Sequence, residues 1–586
     1  MVNRPCEMNP LRQYMLVVDL SSGRMRREEI PQELLRAYLG GRGLGVRLLR
    51  GRHTLSPFDP AMPVVFAVGP LCGTPAPTSA RIEVVSRSPL TGTVYDCSAG
   101  GRFAWRLRAA GLFAILVEGI SPRPVVLAVT SAGEELLPAE GLWTKGVVDT
   151  VGVLSDRGSV AAIGPAGENG VLFSSIMMGE GNAVGRGGLG AVLGKKNLKA
   201  ITVDGDRTVP VADRDRFDRA RADVLRLFRA SPVIFGELGI SEYGTPALVD
   251  LMRQRRMAPT ENFRRTVFED SSAYSGPAIR AAYGAKKEGC FGCPIRCKKR
   301  ASDGRPLPEY ETVSHFGALN GISDLHAIIR SNDACNDLGM DTISAAATLS
   351  AWGEARGRFP SPEEIGPLLH DIAHRRGEGD LLAQGSRRVA EALGKPEVSM
   401  SVKSLELPAY DPRGAYGMAL AYVTSNRGGC HLGAYPISHE ILRKPVASDR
   451  FSFSGKARMI KIAEDTNAAV DSLVACKFAF FGASLEEYAE LLSGVTGEPH
   501  TPQGLKEIGE RIYLTERYYN ARNGFTRADD DLPARFFTEA GSSGEGIVVP
   551  PIDRARFGEE LTKYYRIRGL RDDGSFPDDG FLERQP

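Results

Sequence analysis

Apolar and polar positions change their rhythm part-way along the chain. Up to about residue 205 the apolar residues come in short runs rich in β-branched side chains and broken by glycine and proline. Such runs predict strands over 14–20, 63–68, 81–85, 113–117, 125–129 and 199–203. From Asp213 onward apolar residues recur at three- and four-residue intervals among Ala, Arg, Leu and Glu. That period predicts helices over 214–228, 344–356, 361–374, 382–393, 484–492 and 503–519. No internal repeat or low-complexity tract interrupts the pattern. The expected fold is therefore α+β: a β-rich domain over residues 1–207, then two mostly α-helical domains over 208–398 and 399–586.

Composition changes this picture little. With 586 residues the chain can bury large cores, and 73 basic against 71 acidic residues give no case for nucleic acid or an anionic membrane. The nine cysteines are unevenly spread and do not resemble a disulfide framework. Residues 1–10 contain no apolar signal core, and no apolar run approaches the ~18 residues of a membrane span. The reading is a soluble, cytoplasmic protein whose thiols stay reduced.

Cysteine spacing restricts the chemistry most. In Cys290-Phe-Gly-Cys293-Pro-Ile-Arg-Cys297 three thiols lie close enough to wrap one small inorganic centre. A cubane iron–sulfur cluster takes four thiolates and tolerates such spacing. The Cys-x2-Cys-x3-Cys order is the reverse of that in radical S-adenosylmethionine enzymes. A zinc knuckle is the alternative, but such sites usually use two Cys-x2-Cys halves, and no second half exists here.

Three glycine-rich segments lie in the β-rich part: Gly40-Gly-Arg-Gly-Leu-Gly45, Cys97-Ser-Ala-Gly-Gly101 and Gly185-Arg-Gly-Gly-Leu-Gly190. The third matches Gly-x-Gly-x-x-Gly, yet the preceding 177–184 is a poor strand, and a dinucleotide site needs strand, turn and helix in order. Lys196 follows Gly194-Lys195, so there is no Walker loop. What these segments share is an arginine in or near each: Arg42, Arg81 and Arg186. Bare backbone N–H groups with guanidinium forks form anion sites suited to phosphate-bearing cofactors.

Taken together, these motifs resemble the tungsten-containing aldehyde:ferredoxin oxidoreductases over essentially the whole chain. The resemblance implies a β-rich first domain cradling two pterin dithiolenes that hold one tungsten, with a [4Fe–4S] cluster beside one pterin and Mg2+ bridging the pterin phosphates. Cys290, Cys293 and Cys297 match three cluster ligands, and Cys476, in Asp471-Ser-Leu-Val-Ala475-Cys476, matches the fourth. Alanine replaces the family's leucine at 475. The phosphate-side contacts carry over as Arg81, Ser98, Gly100, Arg186, Gly187 and Leu189; Ser98 stands where the family often has asparagine, and it or a backbone carbonyl could meet the magnesium. A pterin-binding segment appears as Asn336-Asp-Leu-Gly-Met340-Asp341, with Asn336 in place of an aspartate. Asp341 also precedes an apolar helical run, as a helix N-cap would. Asp471 and Ala475 complete the implied pterin contacts.

Glu311, in Pro308-Glu-Tyr-Glu-Thr312, and His431, in Gly429-Cys-His-Leu432, match the family's tungsten-facing positions. A carboxylate can act as general base and an imidazole can polarise a carbonyl, which is what aldehyde oxidation needs. Without the resemblance, Glu311 reads as a helix-capping acid and His431 as a core histidine, and Glu309 competes with Glu311. Cys335 and Cys430 read as buried small apolar residues. His370 and His374, one turn apart, read as a solvated helix face, and no mononuclear metal between subunits is expected. The implied partners are a small-molecule aldehyde and ferredoxin or an iron–sulfur partner subunit; a homodimer is one assembly the resemblance allows. Two other readings stay open: a benzoyl-coenzyme A reductase type of tungsten subunit, and a non-enzymatic iron–sulfur electron carrier.

Overall fold

The computed structural model describes residues 12–586; residues 1–10, read above as lacking a signal core, lie outside the described residues. Among the latter, the apolar runs of the first part form two six-stranded sheets. The first contains β1 (Gln13–Asp19), β2 (Arg24–Ile30), β3 (Val64–Ala67), β4 (Ile82–Arg87), β5 (Val94–Ala99) and β6 (Ala114–Glu118), in the order β2-β1-β6-β3-β4-β5. Its β1–β6 pair is parallel and the others are antiparallel. β3 and nearly all of β4 are buried on both faces, which is why they read as continuous apolar runs rather than alternating ones. The edge strand β2, Arg-Met-Arg-Arg-Glu-Glu-Ile, is charged and largely exposed, a composition that discourages pairing with another chain.

The second sheet contains β7 (Val125–Thr130), β8 (Glu134–Pro138), β9 (Ser159–Ala162), β10 (Ile176–Met178), β11 (Ala183–Val184) and β12 (Leu198–Asp204), in the order β11-β10-β9-β12-β7-β8. The Gly185–Gly190 segment does lie between a strand, β11, and the helix Leu189–Lys195. However, β11 is a two-residue edge strand antiparallel to β10, not part of a parallel βαβ unit, so the dinucleotide reading fails on topology.

Two expectations need correction. The Gly40–Gly45 segment is not a loop but the start of a buried helix, Gly41–Leu48. Its glycines serve close packing: a Cβ on Gly41 would lie 2.3 Å from the Asp471 carbonyl oxygen, and one on Gly45 would lie 2.4 Å from Val85. The single helix expected over 382–393 is two, Gly379–Leu382 and Ser386–Ala392. Gly385 between them has φ 87°, and the Ser386 N–H turns away to donate to Glu406 Oε1 at 3.0 Å.

Beyond residue 213 the fold is mainly helical, as expected. Asp213 caps the helix Arg214–Ala230 by accepting from the Arg216 N–H, and a capping box starts Leu485–Thr496. These two helices share a core with Ile295, Val470, Leu473 and Ala475, and Cys293 and Cys297 pack against it. The residues around both cysteine segments are thus buried in one apolar cluster although about 180 positions separate them in sequence. Among the described residues no helix is long and apolar enough to cross a membrane.

Candidate active site

The β4–β5 hairpin brings the first site residues together. Its register places Ile82 opposite Ala99, so Arg81 at one strand end faces Ser98 and Gly100 at the other. Arg81 Nε donates to Ser98 Oγ at 2.8 Å and its Nη2 to the Ser98 carbonyl at 3.0 Å. Both oxygens of Ser98 are therefore engaged by a cation. Beside them stands Cys290: a Cβ on Gly100 would lie 2.3 Å from its Sγ, so only glycine admits the thiol here. Arg81 and Gly100 thus lie beside the Cys290 thiol.

The cysteine loop hangs from a short hairpin, β13 (Lys286–Glu288) paired with β14 (Lys298–Arg300). Cys293 N–H donates to the Cys290 carbonyl at 3.0 Å, and Phe291 N–H crosses to the Gly101 carbonyl at 3.0 Å. Cys476 arrives from the end of the helix Lys456–Ser472 and donates its N–H to the Thr78 carbonyl at 3.0 Å. Cys290, Cys293, Cys297 and Cys476 line one cavity of about 350 Å³, and none is in a disulfide. Burial pushes the Cys293 thiol up to about 12, with Cys476 and Cys290 adding to the effect, and it raises Cys297 and Cys476 too. Positive charge bound between such thiols favours their thiolate forms. Cys335, by contrast, is fully buried on the helix Leu325–Leu338 and does not reach the cavity.

The same cavity is lined by Arg186, Asn336, Met340, Asp341, Asp471, Ala475, Glu311 and His431. Gly187 and Leu189 do not line it; Gly187 (φ 85°) packs under the Tyr95 ring and Leu189 is in the core. Asp341 is the N-cap of the helix Thr342–Arg356, accepting from the N–H groups of Ile343 and Ser344. Arg186 donates through Nη1 to the Gly429 carbonyl at 2.9 Å, while its Nε, 3.5 Å from Asp341, has no hydrogen-bond partner. Arg42, expected in an anion site, does not serve one. Its guanidinium is consumed by Glu516 at 2.6 Å and 2.7 Å and by Asp471 at 3.2 Å, because the glycine-rich helix that carries it is buried against those carboxylates.

Glu311 and His431 meet at the other end. Glu311 lies in the first turn of the helix Tyr310–Phe316, and its Oε2 accepts from the Ala409 N–H at 3.0 Å. Its Oε1 is buried, without a hydrogen-bond partner, and 3.6 Å from His431 Nε2. Burial pushes the Glu311 carboxyl up to about 7. Burial holds His431 well below its ordinary range, helped by Arg186 and Arg427, so the ring is neutral. Its Nδ1 is also buried and unpartnered. Glu309 differs sharply: its side chain is half exposed and pairs with Lys298 at 2.9 Å, which lowers its carboxyl despite some burial.

Several neighbours escaped the sequence reading. His315 follows Glu311 by one helical turn and donates from Nδ1 to the Glu311 carbonyl oxygen at 2.7 Å; the i,i+4 spacing was the available signal. Tyr310, Tyr410 and Tyr435 form an aromatic wall, with the Tyr410 ring 5.5 Å from His431. Cys430 accepts from Arg427 Nη2 at 2.9 Å; burial raises its thiol but Arg427 and Arg186 more than offset this, so the net shift is downward. Nothing in local sequence marks Arg427, whose other partner, Asp96 at 3.0 Å, is more than three hundred positions away. His370 and His374 stack on an outer helix face, as expected.

Tyr95 Oη and Asn182 Oδ1 join Arg186 Nε, Glu311 Oε1 and His431 Nδ1 as buried polar atoms without a partner, and all five residues line this one cavity. Buried polar atoms are otherwise nearly always paired, so their convergence marks space built around a polar group.

Residues 15–205 match the family model "Aldehyde ferredoxin oxidoreductase, N-terminal domain", and residues 219–584 match "Aldehyde ferredoxin oxidoreductase, domains 2 & 3". The chain is 40% identical to a tungsten-containing aldehyde ferredoxin oxidoreductase of Pyrococcus furiosus, covering 96% of each chain. It is 39% identical to the protein of that name from Thermococcus kodakarensis, again over 96% of each. Among solved structures, the active site complex BamBC of benzoyl coenzyme A reductase matches with a TM-score of 0.84 over 98% of this chain and 97% of that one; at 23% identity this likeness shows the fold alone.

Proposed function

The chain belongs to the aldehyde ferredoxin oxidoreductase family of oxidoreductase enzymes, and from that premise we propose that it oxidises aldehydes to carboxylic acids at a tungsten bis-pterin centre. The electrons pass through a [4Fe–4S] cluster to ferredoxin or a partner iron–sulfur subunit. One observation carries the reading: Glu311 and His431 turn unpartnered, buried polar atoms into the cavity that also holds four free thiols.

The residues fit the proposed groups. Cys290, Cys293, Cys297 and Cys476 offer the four thiolates a cubane takes. Arg81, with its guanidinium between those thiols and Ser98, and Arg186, with a free Nε, supply donors toward a pterin, and Asn336, Asp341 and Asp471 supply side chains for its ring edge. Mg2+ between the pterin phosphates belongs to the same proposal; with Ser98 held by Arg81, a backbone carbonyl suits it better.

When bound, the tungsten–pterin centre supplies the oxygen and two-electron redox chemistry, and the cluster carries the electrons away singly. The protein does the rest. His431, a neutral imidazole whose Nε2 lies 3.6 Å from Glu311 Oε1, can hold the aldehyde oxygen while the tyrosine wall flanks the carbon chain. Aldehyde and water give the acid, two electrons and two protons; Glu311, with Oε2 pinned by the Ala409 N–H, keeps Oε1 free to take one of those protons, and the other leaves to solvent. A carboxyl raised to about 7 both accepts and returns that proton near neutral pH, which Glu309 cannot do while paired with Lys298.

Metal analysis of the purified protein tests this reading. Tungsten near one and iron near four per chain, with aldehyde-dependent dye reduction, is the expected result. Iron alone, without aldehyde oxidation, would make the protein an electron carrier and overturn the proposal.

A further inference from the structure

We infer that the surface formed by Phe291 and Trp105, together with the exposed Arg102, Lys286 and Arg296, docks a small acidic iron–sulfur electron carrier. The inference rests on the electron-exit reading above and names the partner's face and chemistry.

Phe291 directly follows Cys290, yet 40% of it is exposed. It stacks on Trp105, with ring centroids 4.2 Å apart and planes 20° from parallel. Covalent bonds and one aromatic contact thus lead from a thiol of the cavity to the molecular surface. Arg106 covers the outer part of the Trp105 ring at 4.7 Å.

The segment that carries Phe291 is basic in sequence, although the whole chain carries only +2. Between residues 286 and 300 stand six basic side chains and one acid, Glu288. Four of them are paired or buried: Lys298 pairs with Glu309 at 2.9 Å, Arg300 with Glu288 at 3.1 Å and Lys287 with Glu242 at 2.6 Å, while Lys299 donates to backbone carbonyls. Lys286 and Arg296 remain exposed without an ion pair among the described residues, as does Arg102, which begins the helix bearing Trp105. An apolar centre accompanied by exposed like charge without ion pairs is complementary to a partner of opposite sign. Such a small patch suits a transient complex.

Transience is what the stoichiometry requires. Oxidising one aldehyde to the acid releases two electrons, so two oxidised carriers must dock in turn. Each accepts one electron at its iron–sulfur centre and leaves reduced.

The test compares two acceptors for the holoenzyme with an aldehyde substrate: benzyl viologen and an acidic [4Fe–4S] ferredoxin. In the triple variant R102E/K286E/R296E, kcat/KM for ferredoxin should fall by at least about tenfold and lose most of its salt dependence, with viologen-linked turnover unchanged. If the triple variant assembles poorly, Lys286→Glu alone should lower it by about twofold to fivefold. Ferredoxin kinetics equal to those of the unaltered enzyme, or equal rates with a basic carrier, would overturn the docking surface while viologen activity left the proposed reaction standing. Absence of viologen-linked oxidation in the unaltered enzyme would remove both.

Discussion

His431 Nε2 lies 3.6 Å from Glu311 Oε1, in a cavity where neither atom is offset by a charged partner. The separation is too long for a hydrogen bond and short enough for a substrate atom to engage both groups. Burial moves the two groups in opposite directions, the acid up to about 7 and the imidazole well below its ordinary range, so at neutral pH the imidazole is neutral and the carboxyl is about half ionised. A pair of titratable groups with opposed shifts in one cleft is the signature of acid–base chemistry.

Glu311→Gln keeps the shape and the Ala409 contact but cannot take a proton. Aldehyde turnover should fall about 10²–10⁴-fold with tungsten and iron contents normal. Because a base works only when deprotonated and the Glu311 carboxyl sits at about 7, kcat/KM of the unaltered enzyme should rise through that pH and level off above it. The variant should lose this rising limb; wild-type turnover would make Glu311 a structural acid and Glu309 the next residue to test.

Cys476→Ser should abolish or convert the cubane signal in EPR of the reduced protein, whereas Cys335→Ser should leave it intact. The reason is position: Cys476 lines the cavity with the other three thiols, and Cys335 does not. The opposite pattern would reassign the fourth ligand.

Arg81→Ala and Arg186→Ala should each lower pterin and tungsten content, since each removes charge-assisted donors worth about 1.5–3 kcal/mol apiece. Arg42→Ala should instead lower thermal stability, because it leaves Glu516 and Asp471 buried beside each other without their shared cation. Full metal occupancy in the Arg81/Arg186 double variant would show that these arginines do not anchor the cofactor.

Gly100→Ala should reduce iron per chain. The new methyl would meet Cys290 Sγ at 2.3 Å, and overpacking at such a point costs about 1–3 kcal/mol unless the thiol moves. Unchanged iron content would show that the cysteine loop shifts without cost.

Much of this protein was legible in its chain alone. Periodicity identified six of the twelve strands in the two large sheets and several of the longer helices, because backbone preference and one-sided burial act over a few residues; the helices Leu325–Leu338, Lys456–Ser472 and Arg554–Ile567 went unread. Spacing singled out Cys290, Cys293 and Cys297, and the polar residue before an apolar helix identified Asp341 as a cap. The break at Gly385 and the helix at Gly41–Leu48 were not legible: one depends on Glu406, the other on close contact with Asp471 and Val85.

Tertiary structure alone decided which like residues differ. Glu309 and Glu311 are two positions apart, and only burial against Ala409 and His431, versus exposure beside Lys298, separates a carboxyl near 7 from a lowered one. Arg42 and Arg186 both sit in glycine-rich sequence, but partners hundreds of residues away consume the first and leave the second a free Nε. The aromatic wall and the Arg427–Cys430–Asp96 contacts also come from distant segments folded together. Chemistry at a site depends on charge and solvent within a few ångströms, and a linear sequence carries that information only where the chain meets itself locally.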